Sequence, residues 1–178
     1  ITFGEMIMGL ADFFTLEHFS IHSILYFIIM INLFMNYFGQ FDHAIDEEGE
    51  NKGIFLIYSH YPIFIGLIMV TVSMSFLVNP EAHHLFATSF FYAGIGLFQA
   101  TVLSNGRFNK SYLKYDKIYY GLQATFFLIG LLLSLLFSDN PTIVIAIATL
   151  MTLAMEIHFT YFYMTQTKKF STPNWELF

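Results

Sequence analysis

The 178-residue sequence contains no cysteine, which excludes disulfides, zinc–thiolate centres and cysteine nucleophiles. Charge is also scarce: Asp, Glu, Lys and Arg make up 11% of the residues, against roughly 25% in a soluble domain. Only seven residues are Lys or Arg and the net charge is -6, a balance that argues against nucleic acid as a partner. Tryptophan occurs once and proline four times. No cleavable leader is read at the start. The run beginning at Ile1 already has helix-interior character, so the chain is expected to be a piece of a longer membrane protein.

Apolar side chains are abundant instead. They account for 56% of the chain, 23 of them Phe, and the mean hydropathy is +0.61. A soluble fold of this size would strand many of them on its surface, whereas a lipid-facing surface requires them. Six apolar segments are read, at about 1–14, 20–41, 54–78, 83–105, 117–138 and 141–166. The last five reach the ~20 residues that cross ~30 Å of hydrocarbon, and the first is shorter. Lipid offers no partner for an unpaired backbone group, so each span must be helical. No segment alternates polar and apolar as a barrel strand would. The expectation is an all-α, polytopic transmembrane helix bundle of about six spans, the first one truncated, forming a single domain over 1–178. Asn79-Pro80-Glu81 should break the third and fourth spans, and Asn140-Pro141 reads as a cap followed by proline at the first helical position.

The seven basic residues are Lys52, Arg107, Lys110, Lys114, Lys117, Lys168 and Lys169. With six spans, all of them fall on one side. The excess of Lys and Arg in cytoplasmic loops then predicts that loops 42–53 and 106–116 and the C-terminus are cytoplasmic, while 15–19, 79–82 and 139–140 face outward. The acidic character of 42–53 counts little in that rule. Tyr112, Tyr115, Tyr119, Tyr120, Tyr161, Tyr163 and Trp175 sit near the same boundary, a depth that suits amphipathic rings.

Polar residues within spans are costly and turn toward the bundle interior. Asn32, Asn36, Gln40 and His43 share one face of the second span, with Asp42 beside its end. Glu5, Gly9 and Asp12 share a face of the first. The third span carries Tyr58, Ser59, His60 and Pro62, and Pro62 frees a carbonyl near position 58. Thr149, Thr152, Glu156, Thr160 and Tyr163 form a stripe on the sixth, with His158 pointing elsewhere. Gln99 and Gln123, on the fourth and fifth spans, should face the same interior. Each set reads either as the lining of a hydrophilic pathway or as hydrogen bonding that holds helices together. Gly94, Gly96 and Gly130 suit close helix packing.

Zinc-protease, nucleophile-elbow and phosphate-loop motifs are absent. His83-His84 could touch a metal but point in different directions on a helix. Asp42, His43 and His60 could form a two-His, one-carboxylate site. Neither is preferred, so no metal and no cofactor are assigned.

Three motifs in order resemble the bacterial low temperature requirement A (LtrA) family. Ile1-Thr2-Phe3-Gly4-Glu5 is similar to its Gly-Glu motif. Asn36-Tyr37-Phe38 followed by Asp42 is similar to its Trp-Trp-x-Tyr-Phe segment, with Phe34 and Met35 in place of the tryptophan pair. Tyr58-Ser59-His60-Tyr61-Pro62, with Gly66 after it, is similar to its Tyr-x-His-x-Pro motif. The resemblance implies a multi-pass protein of the bacterial cytoplasmic membrane, here its C-terminal half, with further transmembrane helices upstream as partners. It implies no defined activity.

The residues favour a proton- or ion-coupled, transporter-like protein for a small solute. Its pathway would be built from Glu5, Asn32, Asn36, Gln40, Asp42, His60, Gln99, Gln123 and Glu156. One alternative is a membrane enzyme acting on a lipid or isoprenoid substrate at the cytoplasmic face through Asp42, His43 and His60. Another is a structural or signalling protein whose polar groups only pack helices. The partners expected are the lipid bilayer, the upstream helices and a small solute or ion, with a homo-oligomer left open.

Overall fold

The computed structural model describes residues 2–16, 19–46 and 53–171, apart from the side chains of Thr2, Glu5 and Asp12. It consists of helices. They are α1 (Thr2–Leu10), α2 (Ile21–Phe38), α3 (Gly53–Val78), α4 (His84–Ser104), α5 (Lys117–Leu136) and α6 (Pro141–Ser171). Short 3-10 turns follow α1 and α4, and a π-helical segment, Gly39–Ala44, prolongs α2. Among the described residues, five spans are long and apolar enough to cross a bilayer, beginning at Ile21, Gly53, His84, Lys117 and Pro141. α1 covers nine residues and packs chiefly on α3.

The helix ends follow from the local sequence. Ser20 and Ser23 form a reciprocal capping box at the start of α2, satisfying two backbone donors that the first turn leaves free. The Asp116 carboxylate accepts from the Tyr119 amide at 2.7 Å at the start of α5. Asn140 accepts from the Ile143 amide at 3.3 Å, with Pro141 as the first residue of α6. The 79–82 break is a turn in which the Asn79 side chain accepts from the Glu81 amide at 2.9 Å. α3 runs on through Pro62. Near that proline, Ser59 and His60 both return to the Leu56 carbonyl, at 2.9 and 2.6 Å.

Three pairings build the bundle: α3 with α4, α2 with α6, and α5 with α6. α3 and α4 touch backbone to backbone. A methyl group on Gly66 would lie 2.8 Å from the Gly94 carbonyl oxygen, and one on Gly94 would lie 2.9 Å from the Gly66 oxygen. Glycine is what permits that approach, the usual basis of tight helix pairs where lipid supplies no hydrophobic drive. The core inside is Tyr26, Ile29, Leu67, Val70, Phe91, Ile95 and Phe98 with their neighbours.

The perimeter has the opposite composition. Phe27, Ile31, Ile65, Ile68, Leu128, Leu132, Leu136 and Leu150 are exposed, while Asn32, Asn36, Gln40, Gln99, Gln123, Ser134, Thr149, Thr152 and Glu156 are buried. Such an inside-out distribution is what hydrocarbon solvation demands.

Candidate functional site

α2 and α6 run side by side in the same direction, in constant register. His22 meets Thr142 at 2.8 Å and Asn32 donates to the Thr152 hydroxyl at 3.1 Å, each pair separated by 120 residues. The same offset sets Asn36 against Glu156 and brings the rings of His43 and Tyr163 to 6.1 Å. The two polar stripes therefore form one ladder. Thr152 donates in turn to the Thr149 carbonyl at 3.1 Å, and Thr149 to that of Ile145 at 2.8 Å.

Glu156 sits in this ladder fifteen positions into α6, and Asn36 fifteen into α2 (156 − 141 and 36 − 21). At 1.5 Å per residue both lie ~22 Å from the end where these helices begin. Glu156 is the only acidic side chain among the described residues that is buried. Thr160 donates to one of its carboxyl oxygens at 3.1 Å, and the other, like the Asn36 amide oxygen, has no hydrogen-bond partner. The neighbours that act on the carboxyl, Thr160 and Asn36, are both uncharged.

A second polar set converges on the adjoining residue of α6. Gln123 donates to the Met155 carbonyl at 3.2 Å and lies 3.2 Å from the Tyr119 hydroxyl and 3.4 Å from His158 Nδ1. Gln99 points its amide nitrogen at the Met155 sulfur, 3.7 Å away. The carbonyl oxygens of both glutamines are unpartnered. His158 stacks on Tyr119 with ring centroids 4.7 Å apart.

The remaining expected site residues lie elsewhere. Gln40 is fully buried but serves as a clamp: it donates to the Asn109 side chain at 2.7 Å and accepts from the Tyr115 hydroxyl. Around it the segment after α2 pairs with the segment after α4. Ile45 bridges Asn109, and the Asp46 and Lys110 amides donate to Phe108 and Ala44 at 3.0 and 2.9 Å. Asp42 is 66% exposed and 3.4 Å from His43, itself 58% exposed. Asp42 is therefore no part of the buried stripe: the π-helical turn carries it onto the surface. His60 is half-buried and occupied. Its Nε2 pairs with the Tyr37 hydroxyl at 2.9 Å, and its Nδ1 must carry the proton given to Leu56. It borders a perimeter groove with Ile57, Tyr61 and Phe64. The Glu5 side chain lies outside the described residues.

No group of three or more His, Cys, Asp or Glu among the described residues is placed to hold a metal, so Asp42, His43 and His60 do not make the two-His, one-carboxylate site. His83 instead caps α4, accepting from the Phe86 amide at 3.4 Å.

A family model described as bacterial low temperature requirement A protein (LtrA) matches residues 1–155. The chain belongs to the LtrA family. The match runs from α1 through Met155 in α6, so it takes in α2 and the first half of α6 and ends one residue before Glu156. No curated protein and no solved structure matches the chain. Asn109, Tyr115, Tyr119 and His158 were not singled out for these contacts. Tyr115 and Tyr119 read as interfacial aromatics, and nothing local pairs Asn109 with a glutamine 69 positions earlier. In this LtrA-family chain the buried polar groups include a ladder along α2 and α6, two glutamines gathered at Met155 and the Gln40 clamp.

Proposed function

We propose that this LtrA-family protein is a proton- or ion-coupled, transporter-like protein for a small solute in the bacterial cytoplasmic membrane. Glu156 is the group that takes up and releases the proton or cation. The observation that carries the reading is a buried carboxyl whose hydrogen-bonding neighbours, Thr160 and Asn36, are both uncharged. An ionisable group at that depth is a functional site by default. Burying its charged form unpaired costs far more than a structural hydrogen bond returns, so the carboxylate there needs a proton or another mobile cation as its partner. Asn36 and Thr160 hold the carboxyl in place, and Asn32, Gln99 and Gln123 supply further hydrogen-bonding groups along the two faces of α6. The exposed position of Asp42 and His43 and the occupied ring of His60 weigh against a catalytic site at the helix ends.

The test is proton or cation flux into liposomes carrying the purified protein and a pH-sensitive or ion-sensitive dye. Wild type should show a gradient-dependent signal, and Glu156→Gln should lower it at least tenfold. Thr160→Val, which removes one hydroxyl from the carboxyl, should lower it less. Equal flux in wild type and Glu156→Gln overturns the role, and absence of flux in all proteins overturns the transporter reading.

A further inference from the structure

The register between α2 and α6 carries on past Asn36 and Glu156, toward the end of the bundle where the basic residues lie. The next rung sets Gly39 against Phe159 (159 − 39 gives the same offset), and a later one sets His43 against Tyr163. The rung beside the carboxyl is thus apolar. Its ring fills the place where α2 has no side chain: a methyl group on Gly39 would lie 2.7 Å from Phe159 Cζ and closer still to Cε1. From there the rings form a stack, with Phe159 and Tyr163 at 6.4 Å and Tyr163 and His43 at 6.1 Å. Exposure rises along the stack from Phe159, at 5%, through half-buried Tyr163 to His43, at 58%.

Gly39 differs from Gly66 and Gly94. Each of those faces a backbone carbonyl of the opposite helix, whereas the nearest atoms to a methyl on Gly39 all belong to the Phe159 ring. Two touching backbones separate only if the helices move, but a ring can leave by changing rotamer. The seat on Gly39 can therefore be vacated while α2 and α6 stay paired through Asn32 and Thr152. The backbone at the seat is itself unusual. Gly39–Ala44 is π-helical, and the Ile45 amide reaches back five positions to the Gln40 carbonyl at 3.2 Å. Single π turns are rare and concentrate at functional sites. The Gln40 side chain ties this turn to Asn109 at 2.7 Å, and the apolar ring has no bond of that kind to break.

We propose that Phe159 is the gate on the basic side of Glu156. With the ring on Gly39, as here, water and ions from the basic end stop at Phe159. With the ring swung off its seat, they reach the carboxyl. An apolar ring suits the task, because an ion beside it finds no group to replace its hydration shell. The gate builds on the reading of Glu156 as the exchanging group and adds the side chain that controls access to it.

The absence of cysteine allows a direct test. Asn36→Cys places a thiol behind the ring and His43→Cys one in front of it. Thr149→Cys places one ~10 Å further from the basic end than Glu156. Each is introduced singly into the purified protein in phosphatidylcholine nanodiscs, treated with the membrane-impermeant reagent methanethiosulfonate ethyltrimethylammonium and followed by mass. With Phe159 in place, His43→Cys should react fast and Asn36→Cys slowly, through transient opening alone. Phe159→Ala should speed the reaction of Asn36→Cys about tenfold or more, since opening is no longer required, and leave Thr149→Cys slow. Gly39→Ala pushes the ring off its seat while adding atoms rather than removing them. It should act in the same direction, and it stands alone if Phe159→Ala does not elute as a folded species. Asn36→Cys reacting as fast as His43→Cys with the ring intact overturns the gate, as does a rate unchanged by either substitution. Thr149→Cys rising in step with Asn36→Cys overturns it too, because the whole bundle would then have loosened. Thiol modification needs no flux, so the gate and the role of Glu156 fail independently.

Discussion

Gln40 and Glu156 occupy polar stripes that look alike in the sequence, yet the first is saturated with partners and the second is not. Gln40 has a donor on one oxygen and an acceptor for its nitrogen, both from the 106–116 loop. Burial pushes the Tyr115 phenol well above its ordinary range, so it remains a donor at physiological pH. Tyr115→Phe would leave the Gln40 oxygen buried and unpaired, a loss of about 1–3 kcal/mol. It should lower the unfolding temperature in detergent while leaving Glu156-dependent flux in place. The pH dependence has a definite sign. The unfolded phenol releases its proton near 10 and the folded one holds it to higher pH, so Tyr115's contribution is complete below about pH 10 and declines above it. The stability gap between wild type and Tyr115→Phe should therefore narrow on titration above that point, and a gap that widens would contradict the assignment. Asn32, Asn36, Gln40, Gln99, Gln123 and Glu156 were legible as buried, because a polar side chain within an apolar run has nowhere else to go, whereas Asp42, at the end of its run, is exposed. Their partners were not legible, since Asn109 reaches Gln40 across 69 positions of chain.

Helices show the same division. Five spans, the Asn140 cap and the 79–82 break follow from hydropathy and local sequence, because each depends on residues within one turn, whereas the caps at Ser20, His83 and Asp116 were not read. The side-by-side placement of α2 and α6 depends on which faces meet, and six hydrophobic helices offer many pairings of similar apolar area. What selects this one is the stripe itself: Asn32 and Asn36 find their partners only when Thr152 and Glu156 stand alongside. The cysteine-free background makes the register testable. His22→Cys with Thr142→Cys should be joined by a short thiol-bridging reagent, as a band shift within one chain. His22→Cys with Thr149→Cys, ~10 Å further along α6, should react many-fold less. Comparable yields would mean that the helices slide or pair otherwise. The α3–α4 contact gives a second test at this scale. Gly66→Ala places a methyl 2.8 Å from the Gly94 carbonyl oxygen and must part the two backbones, at a cost of about 1–3 kcal/mol. Gly121→Ala meets nothing within 4 Å and removes a helix-interior glycine, so it should be neutral or slightly stabilising. An equal fall in unfolding temperature for both would rule out close packing as the reason for Gly66.

At the scale of the whole molecule the described basic residues gather at one end of the bundle. Arg107 lies 3.6 Å from the centre of the Phe55 ring, Lys110 donates to the His43 carbonyl at 3.0 Å, and Tyr112 stacks on Phe170 at 4.2 Å beside Lys168 and Lys169. The loops after α2 and α4 and the end of α6 thus meet at one surface, and the 79–82 turn lies at the other end of α3 and α4. Which surface faces the cytoplasm is decided during insertion, when basic loops are retained on the inner side, and the packing of the finished bundle is indifferent to it. A cysteine at Ser111 and one at Glu81 therefore make a clean pair. In intact cells a membrane-impermeant maleimide should modify Glu81→Cys and spare Ser111→Cys until the membrane is opened. The reverse pattern would put the basic end outside and require some signal other than Lys and Arg to have set the topology. With the basic end inside, Glu156 lies in the inner half of the bilayer, ~22 Å along α6 from its outer end. The shorter route to water is then cytoplasmic, so a proton released from Glu156 should reach that side first. Asymmetric liposomes with the basic end facing the lumen should accordingly respond to a luminal pH jump before an external one.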